Sequence, residues 1–173
     1  MTSVFDMDYI ECKNEFIDTW GHLATNWGES RTVGMVHALL LIACDPICTD
    51  QIMEELSISR GNASNTINHL IELGLLFKED VPGERKDHFV AEKNMWKVMK
   101  AVIRERKKKE LDPMIAVLNK LSSIEPSCAK SEEFHKTVKE IQDFSFRADR
   151  LLDTFSGKEM NWLMRSMKNI GKR

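Results

Sequence analysis

The order of local sequence patterns between residues 49 and 91 constrains the fold of this chain more than any other feature. Apolar residues recur at helical spacing in two short segments, and alternating segments then flank a Pro82-Gly83 turn. The predicted elements are a short helix, a turn, a second helix and two strands, at 49–56, 57–59, 60–73, 75–79 and 85–90. Helix, turn, helix and hairpin in this order predict a winged helix-turn-helix.

The boundaries of the two short helices are predicted from residues that favour helix ends. Thr49 and Ser59 are predicted N-caps, because a hydroxyl side chain can accept a hydrogen bond from the first turn. Gly74 is the expected end of the second helix. The apolar face of that helix is narrow and comprises Ala63, Thr66, Ile67, Leu70 and Leu73.

Amphipathic patterns on both sides of this segment predict further helices. They cover residues 6–27, 31–43, 132–155 and 158–170, together with a helical stretch from residue 93 onward. Asp112-Pro113 interrupts that last stretch and either restarts a helix or kinks one. The expected fold is therefore mainly α with a small β-hairpin wing.

The expected organisation has three parts. An N-terminal dimerisation helix occupies residues 1–28, the winged helix-turn-helix occupies residues 29–92, and a C-terminal helical dimerisation region occupies residues 93–173. Scarce glycine and proline, 8 and 4 residues, agree with few long coil segments.

Charge is unevenly distributed along the chain, although the formal net charge is only −2. Residues 1–30 contain six acids and one lysine, whereas residues 93–109 contain eight bases and one acid. A chain polarised in this way can present a basic face to DNA. The run at 104–109 could flank DNA or face the acidic N-terminal helix of a partner subunit.

Several classes of protein are disfavoured. The longest apolar run, 38–44, is far too short to span a membrane, and the acidic N-terminus does not resemble a signal peptide, so a cytoplasmic protein is expected. The four cysteines and five histidines form no zinc pattern, nucleophile–base pair or phosphate loop, so we expect no metal, cofactor or enzymatic activity. Cys44 and Cys48 could share a helix face, as buried free thiols or as a redox switch.

The outward face of the second helix is the candidate DNA-reading surface. It is rich in Asn and Ser, which are weaker helix formers than the Glu and Lys of an ordinary solvated face. Asn can bond adenine through two hydrogen bonds, Arg can do so with guanine, and a helix N-terminus attracts phosphate. The predicted contacts in this helix are Ser59, Arg60, Asn62, Ser64, Asn65, Asn68 and His69.

The hairpin carries bases on both sides of its turn. Lys78, Arg85 and Lys86 are predicted to meet phosphate or the minor groove, which gives affinity rather than sequence reading. Acids in the same hairpin would repel DNA unless they are paired, and we expect Asp87 to hold Arg85 in place.

Four segments together resemble one family of regulators. They are Trp-Gly-Glu-Ser-Arg-Thr-Val-Gly at 27–34, Ser-Arg-Gly-Asn-Ala-Ser at 59–64, Gly-Leu at 74–75 and Gly-Glu-Arg-Lys-Asp at 83–87. In this combination the chain resembles the GbsR branch of the MarR-type winged-helix regulators over about residues 10–125. The helices after Ser131 depart from the shorter members of that family.

The resemblance implies a homodimer whose recognition helices enter successive major grooves of a near-palindromic operator. It also implies that terminal helices of both subunits form the dimer body. Some GbsR-type regulators respond to choline, so a small-molecule effector is implied as well. An aromatic cage would suit such a cation, and Trp20, Trp27 and Trp96 could contribute to it.

The sequence therefore predicts a sequence-specific, homodimeric DNA-binding repressor. The alternative is a winged helix that serves protein contacts without binding DNA, in which case the Asn and Ser face would touch protein.

Overall fold

A computed structural model describes residues 8–156 of the chain. Within this range the elements are α1 (Tyr9–Asn26), α2 (Arg31–Ile42), β1 (Ile47–Cys48), α3 (Thr49–Leu56), α4 (Arg60–Glu72), β2 (Leu76–Glu79), β3 (His88–Ala91), α5 (Met95–Arg106), a π-helical segment (Lys107–Leu111), α6 (Asp112–Ser122) and α7 (Ala129–Ser156). The predicted fold class, mainly helical with a small antiparallel sheet, is confirmed. The helix predicted over 158–170 lies outside the described residues.

The sheet has three antiparallel strands in the order β1-β3-β2, so the prediction of a two-stranded hairpin was incomplete. The missed strand is only two residues long, too short for an alternating pattern to show in the sequence. It pairs Ile47 with Phe89 and Cys48 with His88. On the other side of β3, Leu76 pairs with Ala91 and Glu79 with His88.

The second hairpin strand begins at His88 and not at residue 85. Residues 85–87 therefore belong to the loop between β2 and β3, which we call the wing loop (residues 80–87). Gly83 lies in this loop with a φ of +87°, which favours glycine. The predicted strand was too long because the backbones of Arg85, Lys86 and Asp87 do not pair with β2 in the sheet.

One predicted helix cap is confirmed and one is wrong. Ser59 caps α4, where its Oγ accepts a hydrogen bond from the Asn62 backbone N–H at 3.3 Å. Thr49 is already the first residue of α3, and Cys48 is the cap. The Cys48 backbone N–H donates to Gln51 Oε1 at 2.8 Å, which satisfies a donor at this helix start.

The helix-turn-helix is held by a core between α2, α3, α4 and the sheet. Ala63, Thr66, Ile67 and Leu70 are buried on α4 as predicted, while Leu73 is only half-buried. Other large apolar side chains of this core are Val36, Leu39, Leu40, Ile52, Leu56, Leu75, Leu76 and Phe89. One side of α4 is therefore fixed against the core, and the opposite side faces solvent.

Helices α1 and α2 cross at a close approach that depends on glycine. A Cβ added at Gly34 would lie 2.7 Å from both the Ala24 Cβ and the Trp20 carbonyl oxygen. Beside this crossing, Trp20 Nε1 donates to Nδ1 of the buried His37 at 3.2 Å. Burial lowers the pKa of His37 to about 4. The α1–α2 pair is thus a tightly packed support for the winged helix.

The chain divides into two compact units, Met1–Val98 and Met99–Arg173, and the boundary falls within α5. In the second unit, α6 and the π-helical segment pack against α7. Asp112 has helical backbone angles, so Asp112-Pro113 follows a π-helical distortion and does not break the helix. The role of the terminal helices in dimerisation stays a prediction.

Candidate nucleic-acid interface

From Gly61 to Asn68, the solvent-facing side of α4 contains only small or uncharged side chains. Arg60, Gly61, Ser64, Asn65 and Asn68 are all exposed. No acidic residue occurs on α4 before Glu72, the last residue of the helix. We refer to these five residues as the α4 face.

Two predicted reading residues are held by partners within the chain. Asn62 Nδ2 donates to Thr32 Oγ1 on α2 at 3.4 Å, and its Oδ1 accepts from Thr66 Oγ1 at the same distance. His69 Nε2 lies 2.8 Å from Glu29 Oε2, and both side chains are largely shielded from solvent. These contacts tie α4 to the start of α2; Asn62 is nevertheless exposed, whereas His69 is half-buried.

The α4 N-terminus lies at one end of this face. The Ser59 side chain is engaged as the cap. Gly61, in the first turn, has open space around it, because a Cβ added there would meet no atom within 4 Å. An exposed helix position with free space ordinarily favours alanine over glycine. Packing within the chain therefore does not explain this glycine.

The wing bases are paired differently from the prediction. Asp87 does not hold Arg85; it accepts from Lys78 Nζ at 2.6 Å across the base of the wing loop. The pairing was mispredicted because residues 85–87 lie in a loop and Lys78 lies on the neighbouring strand. Arg85 is exposed and makes no ion pair with any residue in the described range.

One carboxylate joins α4 to the wing loop. Asp50, in the first turn of α3, accepts from Arg60 Nη2 through Oδ1 at 2.7 Å and from Lys86 Nζ through Oδ2 at 2.8 Å. The hydrogen bond and charge of Lys86, followed by the charge of Arg60, lower the pKa of Asp50. The hydrogen bond to Asp50 and the charge of Asp50 raise the pKa of Lys86.

Two functional candidates, Asp50 and Gly61, are not among the residues predicted from the sequence. Asp50 is separated from its partners by 10 and 36 positions, so only the tertiary fold reveals the contact. For Gly61 a signal was present, since glycine in an exposed first turn disfavours the helix that it starts.

The basic run at 93–109 is partly neutralised by acids of its own chain. Lys97 pairs with Glu92 at 2.7 Å, and Arg106 pairs with Glu110 at 2.8 Å. Lys107 contacts Asp149 at 2.8 Å, and this hydrogen bond raises the pKa of the lysine. Much of this run is therefore used for internal ion pairs in the described structure.

The three tryptophans proposed for an effector cage lie in different surroundings. Trp20 is half-buried, and its ring contacts Phe16 and His37 at centroid distances of 5.4 Å and 6.1 Å. Trp27 follows the end of α1 and is exposed, whereas Trp96 is half-buried near the start of α5. A cage built from these residues stays a prediction.

The cysteines do not share a helix face. Cys44 is exposed beyond the end of α2, while Cys48 is buried in β1, and both are free. Cys12 and Cys128 are also exposed, so the expectation of buried thiols holds only for Cys48. In the described range no group of His, Cys, Asp or Glu is placed to hold a metal ion. None of the helices in that range is long and apolar enough to cross a membrane.

Comparison with known proteins identifies the fold. No protein-family model and no curated protein matches the chain. A solved structure described as the crystal structure of a transcriptional regulator is similar, with a TM-score of 0.65 and 18% sequence identity. The match covers 87% of this chain and 99% of that chain. The chain therefore shares the fold of a transcriptional regulator along most of its length.

Proposed function

We propose that this protein is a homodimeric, sequence-specific regulator of transcription that binds double-stranded DNA, a repressor of the GbsR/MarR type. The observation that carries the proposal is the α4 face, with Arg60 and two exposed asparagines on a helix whose opposite side is fixed in the core. The fold shared with a transcriptional regulator supports the same conclusion.

The chemistry of the α4 face suits the major groove. Asn65 and Asn68 are exposed, and each can present a donor and an acceptor to the edge of an adenine. Ser64 can bond a base or a phosphate. Because all three side chains are short, the helix must approach closely to use them, and the open space at Gly61 permits that approach.

The wing provides the contacts that do not depend on sequence. Arg85 is the exposed wing base without an internal ion pair in the described range, so it is the base most available to a phosphate. To bind a phosphate, Lys78 and Lys86 must first give up the ion pairs that they form with carboxylates of the same chain. Arg85 is therefore expected to contribute more to affinity than either lysine.

An apolar stripe on α7 supports the homodimer. Phe134, Ile141, Phe144, Leu151 and Phe155 are all exposed, at steps of seven, three, seven and four residues. This heptad spacing places them on one face over about 30 Å of helix. Val138 and Ser145 lie on the neighbouring face and are buried within the chain. A second copy of the chain would cover the stripe.

The proposal is tested with two variants that separate sequence reading from affinity. Asn65→Ala combined with Asn68→Ala is expected to lose discrimination between operator and unrelated duplex while keeping the fold. Arg85→Ala is expected to weaken binding to both duplexes alike. Titration of each variant with both duplexes, with circular dichroism as the folding control, measures these effects.

The same titration distinguishes this proposal from the alternative, a winged helix that serves protein contacts. The internal pairing of two wing lysines favours that alternative, because it leaves little free positive charge. A protein-contact module would bind no duplex at low salt, whereas the DNA-binding proposal requires binding there.

A further inference from the structure

We call residues 49–91 the head. The Asp50 carboxylate lies between two parts of it, the α4 face and the wing loop, which the proposed function assigns to DNA. Arg60 belongs to the α4 face and Lys86 to the wing loop, and each is held by a different oxygen of Asp50. All three side chains are solvent-accessible; 71% of the Arg60 side chain and 61% of the Lys86 side chain are exposed. The three residues form a charged bridge on the surface and not a buried core pair.

Such a bridge contributes little to folding. An exposed ion pair adds little to the free energy of unfolding, because water and salt screen it. Its effect on DNA binding is direct, because the negative charge of Asp50 reduces the combined charge of Arg60 and Lys86 from two to one. A phosphate approaching Arg60 or Lys86 must displace or tolerate that carboxylate.

We propose that Asp50 is a specificity-determining residue of the head, which suppresses binding to unrelated DNA while it holds Arg60 and Lys86 in register. This inference rests on the proposed function. Repulsion by the carboxylate acts on every duplex, because every duplex presents phosphates. Its positioning of the two bases helps only a duplex whose groups match that spacing. The carboxylate therefore weakens binding to unrelated DNA more than binding to the operator.

The test compares Asp50→Asn with Glu55→Gln in the full-length protein. Both substitutions neutralise one carboxylate of α3 and keep its size. Glu55 is a matched control because it pairs with Lys13 on α1 at 2.7 Å, apart from Arg60 and Lys86. Binding to an operator selected from random duplexes and to an unrelated duplex is titrated at several salt concentrations, and thermal unfolding checks the fold of each variant.

The expected result is a selective gain in affinity for unrelated DNA. Asp50→Asn should bind the unrelated duplex roughly fivefold more tightly at low salt, as one unit charge near a phosphate implies. The slope of log affinity against log salt should steepen by about 1 for each bound head. Affinity for the operator should change by less than about twofold, and Glu55→Gln should resemble the unchanged protein.

Three results would overturn the inference, and they differ from failure of the proposed function. Asp50→Asn could match Glu55→Gln, could raise affinity for both duplexes equally, or could lower both. Each of these leaves DNA binding by the unchanged protein intact. Absence of binding to any duplex by the unchanged protein would instead remove the proposed function, and the inference with it.

Discussion

At the residue scale, the outward side of α4 was predictable and its internal partners were not. Helical periodicity alone placed Ser64, Asn65 and Asn68 outward, because each residue turns the helix by a fixed angle. Asn62 and His69 were also predicted to face outward; Asn62 is exposed, but the two side chains contact Thr32 and Glu29, which lie 30 and 40 positions away. Contacts over such separations depend on how α2 packs against α4, which no local pattern encodes.

Gly61 gives the sharpest residue-level prediction. Gly61→Ala should leave stability unchanged or raise it by about 0.5–1 kcal/mol, since alanine favours the helix and the space is open. Affinity for the operator should fall roughly fivefold or more, because the added methyl group obstructs close approach of the helix. Urea unfolding and duplex titration on one preparation measure both effects. Gains in both stability and affinity would show that no ligand approaches this position.

His37 predicts a pH dependence of stability. Its pKa falls from 6.5 to about 4 in the folded chain because of burial, so the unfolded chain binds the proton first as pH falls. The free energy of unfolding should therefore decrease between pH 6.5 and 4, by up to about 1.4 kcal/mol for each pH unit from this residue. His37→Gln retains an acceptor for Trp20 and does not titrate, so its pH profile should be flatter in this window. If the free energy of unfolding of both proteins depended on pH with the same slope in this window, His37 would not be the cause.

At the element scale, the long helices followed from periodicity, while short elements depended on tertiary contacts. Strand β1 exists because β3 offers Ile47 and Cys48 a pairing edge. The cap of α3 was wrongly predicted for a related reason, since Gln51 satisfies the Cys48 backbone N–H with no hydroxyl cap. The wing strand was overextended because residues 85–87 lack partners that only the sheet register reveals.

The α1–α2 crossing predicts a large effect from one methyl group. Gly34→Ala would place Cβ 2.7 Å from backbone and side-chain atoms of α1, so the two helices must separate. We expect a loss of about 1–3 kcal/mol in the free energy of unfolding. Gly61→Ala is the matched control, because it makes the same substitution in a helix at an open position. Equal stability of the two variants in urea would show that the crossing tolerates the methyl group.

At the scale of the whole molecule, the charge distribution was predictable but its use was not. The basic run at 93–109 suggested a surface for DNA, yet Lys97, Arg106 and Lys107 pair with acids of the same chain. Within the head, Lys78, Lys86 and Arg60 are paired with acids as well, which reduces the positive charge that it offers to DNA. Two heads side by side in a dimer would double it, so DNA binding should depend on assembly.

The α7 stripe predicts how that assembly can be broken. Phe144→Ser combined with Leu151→Ser removes two of its most exposed apolar side chains and should shift the protein from dimer to monomer in light scattering. Loss of the dimer should also lower the affinity for an operator with two half-sites. Lys139→Ser combined with Asp143→Ser alters exposed polar residues of the same helix without changing net charge, and should stay dimeric. A dimer that survives the first pair would exclude the stripe as the interface.

Selection of bound duplexes from a random pool tests the central claim most directly. The account predicts that the unchanged protein enriches an inverted repeat whose half-sites lie about 10 base pairs apart or a multiple of that. The variant carrying Asn65→Ala and Asn68→Ala, selected in parallel, should lose that sequence preference while still retaining some DNA. A pool that stays random with the unchanged protein, even at low salt, would contradict sequence reading by the α4 face.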